Sequence, residues 1–258
     1  MALKNEYRRA AILVVSINLL VIVLNIIDIN WIWFNFEIRE GMDLQQLVHE
    51  GTYLLILSIL LSMGIILFFF RGNLNFLAGN KLLKYGTYLW IFQNIIMVVS
   101  VALRNYHYIS HYGLAYKRVG VIIFLILTIV GLITIALKIH RKKSGFFLVK
   151  ANAWAVFFMM VLLATVNWDM LIAKYNIRHD YPQEIDAEFL LEMSDCTLPV
   201  LVANRDKIAT ESEMGNFFYD RLREKVFLYK LKQQDKTWLS WTYADSHTKN
   251  ELISLNKF

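Results

Sequence analysis

Cysteine is nearly absent from this chain of 258 residues. The single copy, Cys196, has no partner for an internal disulfide, so no disulfide framework exists and cysteine usage does not reveal a redox compartment. Charge is also scarce. Asp, Glu, Lys and Arg make up 19 % of the residues, against roughly 25 % in an ordinary soluble domain. Motifs that carry nucleotide or hydrolase chemistry are missing. There is no P-loop, no Gly-x-Gly-x-x-Gly turn and no Gly-x-Ser-x-Gly elbow, and His49-Glu50 runs on into Gly51, Thr52 and Tyr53 rather than completing a metalloprotease motif. The C-terminal third has no basic stripe that would follow a phosphate backbone, which excludes nucleic acid as a partner. No cofactor is expected, and no catalytic residue stands out.

What the chain does have is apolar sequence, 57 % of its residues. That sequence comes in runs long enough to cross a bilayer as helices. Five are expected: Ala10 to Phe34, Leu47 to Phe70, Leu82 to Leu103, Val119 to Leu137 and Phe147 to Val166. The first is too long and lacks the small-residue cleavage site of a signal peptide, so it should be retained. Trp31, Trp33 and Phe34 at its end read as an interfacial belt. The predicted fold class is therefore all-α: a polytopic membrane helix bundle of five transmembrane helices, followed by a small C-terminal helical soluble domain.

The charge is unevenly spread. Residues 1–177 carry 16 Lys and Arg against 7 Asp and Glu, whereas residues 178–258 carry 11 against 14. The shift divides the chain into a transmembrane domain, 1–177, and a C-terminal domain, 178–258. Counting Lys and Arg in and beside the short connections gives 11 on the side of the N-terminus and 6 on the other. By the positive-inside rule the N-terminus is cytoplasmic. Five spans then put the C-terminal domain outside, in a periplasm-like space.

Within that domain, Asp186 is placed to cap a helix over Ala187 to Met193, and Pro199 restarts the chain. Ser212 reads as the cap of a longer helix reaching about Gln234. Phe218, Leu222, Val226 and Tyr229 fall on one face of that helix and should be buried. A last short helix is expected near Asp245 to Leu255.

Several stretches carry a likeness to a known family. Arg-Asn-x-x-Tyr-x-x-x-Tyr-Gly-Leu-x-x-Lys-Arg, from Arg104 to Arg118, resembles the signature of a bacterial family of polytopic membrane proteins classed only as a domain of unknown function. Val48 to Gly51, Arg71 to Phe76, Leu89 to Asn94, Asn167 to Asn176 and Phe189 to Leu201 are similar to it as well. The resemblance covers nearly the whole chain and implies a multi-span fold with a helical C-terminal appendage in a bacterial inner membrane. It transfers no catalytic residue. Longer relatives have further spans upstream, so either Met1 opens a short member or the chain is part of a longer protein.

The polar residues of the spans gather at one level. Asp28 closes the first run, His49 and Glu50 open the second, Arg104 closes the third, Arg118 precedes the fourth and Asp169 follows the fifth. On the expected topology all six lie at the outer leaflet. Ionisable groups in a membrane are costly and either pair or line a cavity. Two readings follow: a structural network of helix-end charges, or an outward-facing site for a ligand, ion or lipid headgroup. Asp28, Glu50 and Asp169 are the acids available to Arg104, with Asp169 favoured because its motif follows a span directly. His107 and His111, four residues apart, would share a helical face and suggest a metal reading as well, with His49 and Glu50 as added ligands.

The function expected is a non-enzymatic scaffold, assembly or signalling subunit whose C-terminal domain meets a partner. The alternative is a transport or small-ligand protein using the outer cluster. The partners expected are the lipid bilayer and other membrane or periplasmic subunits.

Overall fold

The computed structural model describes residues 2–34, 81–179, 184–234 and 236–255, together with positions 53, 56, 57, 59, 60 and 64. Every regular element among them is helical. Among the described residues, four helices are long and apolar enough to cross a membrane: Tyr7–Phe34, Lys81–Tyr112, Tyr116–His140 and Gly145–Thr165. The expected second span, Leu47 to Phe70, lies for the most part outside the described residues, and its six described positions are helical.

The chain forms two compact units, one of residues 1–108 and 117–163 and the other of residues 109–116 and 164–258. This division differs from the composition shift at Asn176. The helix Trp168–Arg178 packs with the C-terminal helices because Ile172, Ala173 and Ile177 on one of its faces are buried there. Net charge records solvent and headgroup exposure, so it does not report such packing.

In the first unit, α1 (Ala2–Asp28) ends in a π-helical turn, Ile29–Phe34. The other helices are α2 (Lys81–Tyr112), α3 (Tyr116–His140) and α4 (Gly145–Thr165). One core cluster joins Ala10, Val14, Leu83, Trp90, Leu132, Ile139 and Leu148, and a second joins Val21, Ile59, Met97, Val101 and Leu125. Gly86 lets α1 and α2 approach closely, since a Cβ there would stand 2.7 Å from Val14 Cγ1. Small residues serve the same purpose at membrane helix contacts, where dispersion between close backbones replaces the hydrophobic effect. On α4, Leu148 is the buried residue, while Trp154, Phe157, Phe158 and Met160 are exposed. Such a surface suits lipid, which accepts apolar side chains without cost.

The helices on either side of the third and fourth apolar runs extend past them, so that α2 and α3 are joined by residues 113–115. The expected third span ends at Leu103, but α2 continues nine residues further, to Tyr112. Its stop is Gly113, whose φ of +84° lies in the left-handed region. That conformation closes a helix and favours glycine because no Cβ meets the backbone.

The second unit holds α5 (Trp168–Arg178), α6 (Ala187–Glu192), α7 (Leu198–Ala203), α8 (Arg205–Thr210), α9 (Phe217–Gln234) and α10 (Tyr243–Ser254). Asn167 caps α5 by accepting from the Met170 amide, and Asp186 caps α6 by accepting from the Phe189 amide. These bonds satisfy donors that the first helical turn leaves open. Ser212 does not cap α9. The helix starts five residues later, at Phe217, because the chain turns at Gly215 with φ +50°. Phe218, Leu222, Val226 and Tyr229 are all buried, and the Tyr229 hydroxyl donates to the Asp245 carbonyl at 3.1 Å. Full burial of such a side chain contributes roughly 1.5–3 kcal/mol.

Candidate functional site

Asn18, Asn25 and Asp28 are spaced seven and three residues apart, which sets them on one face of α1. All three are buried, and each meets α2. Asn18 donates to the Gly86 carbonyl at 3.0 Å and accepts from Gln93 Nε2 at 2.7 Å. Asn25 donates to the Gln93 carbonyl at 3.1 Å. Asp28 Oδ1 receives Arg104 Nη2 at 2.5 Å, with side-chain exposures of 8 % and 6 %. The π-helical turn adds two contacts. Trp31 lies 5.9 Å from the Arg104 guanidinium carbon, and Trp33 Nε1 donates to Ser100 Oγ at 3.0 Å. Together they make a polar seam along the α1–α2 interface.

The seam is not saturated. Asp28 Oδ2, Arg104 Nε, Asn25 Oδ1 and Gln93 Oε1 are buried with no hydrogen-bond partner among the described residues. A buried polar atom left so costs about 1–3 kcal/mol, and native proteins usually supply water or another partner.

Arg118 is used differently. Its guanidinium carbon lies 3.3 Å from the centre of the Tyr108 ring, and its backbone carbonyl accepts from Asn105 Nδ2 at 3.2 Å. A cation over an aromatic face is held by the ring's quadrupole, more strongly when both are desolvated. Arg118 thus helps join the end of α2 to the start of α3.

The carboxylate opposite Arg104 is Asp28, not the favoured Asp169. Sequence position fixes the level of an acid along its helix, but not which helix lies beside it. Asp169 belongs to the second unit, where it accepts from the Tyr116 hydroxyl and, at 3.1 Å, from the Ser194 amide. Burial raises its carboxyl pKa, but the bonds from Ser194 and Tyr116 and the charge of Lys225 outweigh that and hold it below 3.8. Nearby, Asn167 Nδ2 stands 3.4 Å from Cys196 Sγ, which lies 2.9 Å from Ser194 Oγ. Lys225 donates to the Leu191 and Met193 carbonyls, closing the C-terminal end of α6, and burial lowers its pKa. In the same unit Asn176 bonds both backbone groups of Leu114, from its Oδ1 to the amide at 2.7 Å and from its Nδ2 to the carbonyl at 2.9 Å.

His49 and Glu50 lie outside the described residues. His107 packs edge-on against Tyr106, and His111 against Tyr112. No three His, Cys, Asp or Glu side chains among the described residues come close enough to hold a metal ion. The sequence assigns no site role to Tyr116, Asn176 or Ser194, although all three lie in stretches that carry the resemblance. Asn18, Asn25 and Gln93 were visible as polar breaks in apolar runs, and the helical spacing of the two asparagines was the signal available.

A family model described as Domain of unknown function (DUF4153) matches residues 3–204. No curated protein and no solved structure matches the chain.

Proposed function

The chain belongs to the family Domain of unknown function (DUF4153), and from that premise we propose that it is a non-enzymatic membrane scaffold or assembly subunit whose C-terminal unit contacts a partner protein. The observation that carries this reading is the outer face of α9. Phe217, Phe227, Leu228 and Leu231 are exposed by 59, 59, 48 and 41 %, on the side of the helix opposite Phe218, Leu222, Val226 and Tyr229. These four large apolar side chains share the outer side of the helix with the exposed Asp220, Arg221 and Glu224, and such a mixed apolar and charged face suits contact with another protein. The polar residues of the spans support the same reading, since Arg104 and Arg118 are engaged within the protein rather than turned toward one shared space.

In this proposal the protein sits in a bacterial inner membrane with five spans, the N-terminus cytoplasmic and the C-terminal unit outside. A membrane-impermeant maleimide should then label Cys196 or a Gln234→Cys variant in intact cells. Labelling only after permeabilisation would reverse the orientation.

Affinity purification from native membranes tests the partner. The wild type should carry a second protein in fixed ratio, and Phe227→Asp and Leu231→Asp should each release it without lowering the melting temperature. A wild type that purifies alone would defeat the scaffold reading. The unpartnered atoms around Asp28 and Arg104 favour the alternative, a small-ligand or transport protein. Ligand recovered from the purified protein, and lost from Gln93→Leu, would support it.

A further inference from the structure

The second unit contains a cleft of about 570 Å³ that the partner surface does not use. Small-molecule sites commonly run to roughly 300–1,000 Å³. Three cations among the described residues reach it: Lys174 and Arg178, one turn apart on α5, and Lys207 on α8. Among the described residues that line it Glu251 is the one acid, and it stands 3.6 Å from His247. Ile177, Pro199 and Leu255 supply an apolar wall. The unit, residues 109–116 and 164–258, holds more Asp and Glu than Lys and Arg, 15 against 12, so this concentration of positive charge is local and does not reflect a generally basic unit. Lys174 and Arg178 have no ion-pair partner among the described residues, while Lys207 lies 3.7 Å from Glu211, the residue that follows its helix.

We propose that this cleft binds a phosphate group carried on a small apolar moiety. The guanidinium of Arg178 offers a planar fork that matches two phosphate oxygens, and the two lysines add point charges around it. A singly charged carboxylate would leave more of this positive charge uncompensated than a phosphate does. The apolar wall gives the rest of the ligand a surface to cover. A soluble phosphoester and the headgroup of an anionic lipid share this chemistry. The cleft and the outer face of α9 use different side chains, so either can fail without the other.

The test is calorimetric titration of the full-length protein in a neutral detergent with hexyl phosphate and with inorganic phosphate. Hexyl phosphate should saturate a single site and bind more tightly than inorganic phosphate. Arg178→Gln and Lys207→Gln should each weaken it by about tenfold or more, the usual scale for losing a charge-assisted bond. Arg178→Lys should retain part of the affinity, and Arg223→Gln, an exposed cation outside the cleft, should retain all of it. Melting curves of these surface variants should match the wild type. Repeating the titration in nanodiscs of phosphatidylcholine with and without phosphatidylglycerol separates the sources. Suppression by phosphatidylglycerol assigns the cleft to a lipid headgroup, and undiminished binding assigns it to a soluble phosphoester. No saturable binding by the wild type, or equal weakening by Arg223→Gln, would overturn the site.

Discussion

The side-chain amide of Asn176 occupies the space beside Gly113 where any other residue would carry its Cβ. A carbon built there would stand 2.9 Å from Asn176 Oδ1. The same amide bonds both backbone groups of Leu114 and so stands in for a short piece of paired backbone. The left-handed turn that ends α2 is thereby tied to α5 within the second unit.

Gly113→Ala should be costly on two counts, because alanine resists a φ of +84° and its methyl displaces the amide. Strain of this kind is worth about 1–3 kcal/mol. Asn176→Asp keeps the shape but loses the donor to the Leu114 carbonyl, and should also destabilise. Thermal unfolding in detergent reads both, and an unchanged Gly113→Ala melt would mean that Asn176 moves aside freely.

Arg104→Ala leaves the Asp28 carboxylate buried without its cation. Removing one partner of a buried pair costs roughly 3–5 kcal/mol, more than an exposed pair is worth. Asp28→Asn should partly rescue it, so a double-mutant cycle should show strong coupling between the two. Asp169→Asn, whose partners are Tyr116 and Ser194, should show none with Arg104.

Asp169 should make stability depend on acidity. Its folded pKa is held below the ordinary 3.8. Its contribution is therefore fully present above the unfolded value and is lost as the pH falls through the folded one. Denaturant unfolding followed from about pH 6 down to about pH 3 should show that loss in the wild type and a flatter profile in Asp169→Asn. Parallel profiles would remove Asp169 from the acid response.

Leu222 is wholly buried in the second unit. Leu222→Asp should cost several kcal/mol, since an unpaired charge has no solvent there. Tyr229→Phe should cost only about 0.5–1.5 kcal/mol, the net value of its bond to the Asp245 carbonyl. A Leu222→Asp protein that melts with the wild type would break the assignment of the buried face.

Some of this was readable from order along the chain. The long helices follow from uninterrupted apolar runs, because only a helix satisfies its own backbone in hydrocarbon over such a length. The buried face of α9 follows from residues repeating every three or four positions, and the cap at Asp186 from a short acceptor placed before an apolar turn. These are local properties, determined by residues within a turn or two of one another.

Tertiary structure decided the partnerships. Arg104 meets Asp28, 76 residues away in sequence, because α1 and α2 pack with those faces together and Gly86 lets them close. Asp169 instead joins Tyr116 and Ser194, and Lys174, Arg178 and Lys207 reach a common cleft from two helices. The apolar run of the third span ends at Leu103, nine residues before α2 does, because polar side chains signal contact with water or headgroups, while the helix itself stops only where Gly113 turns the backbone. Sequence order fixes how far along a helix a side chain sits. Which helix faces it, and at what rotation, depends on how all the helices pack at once.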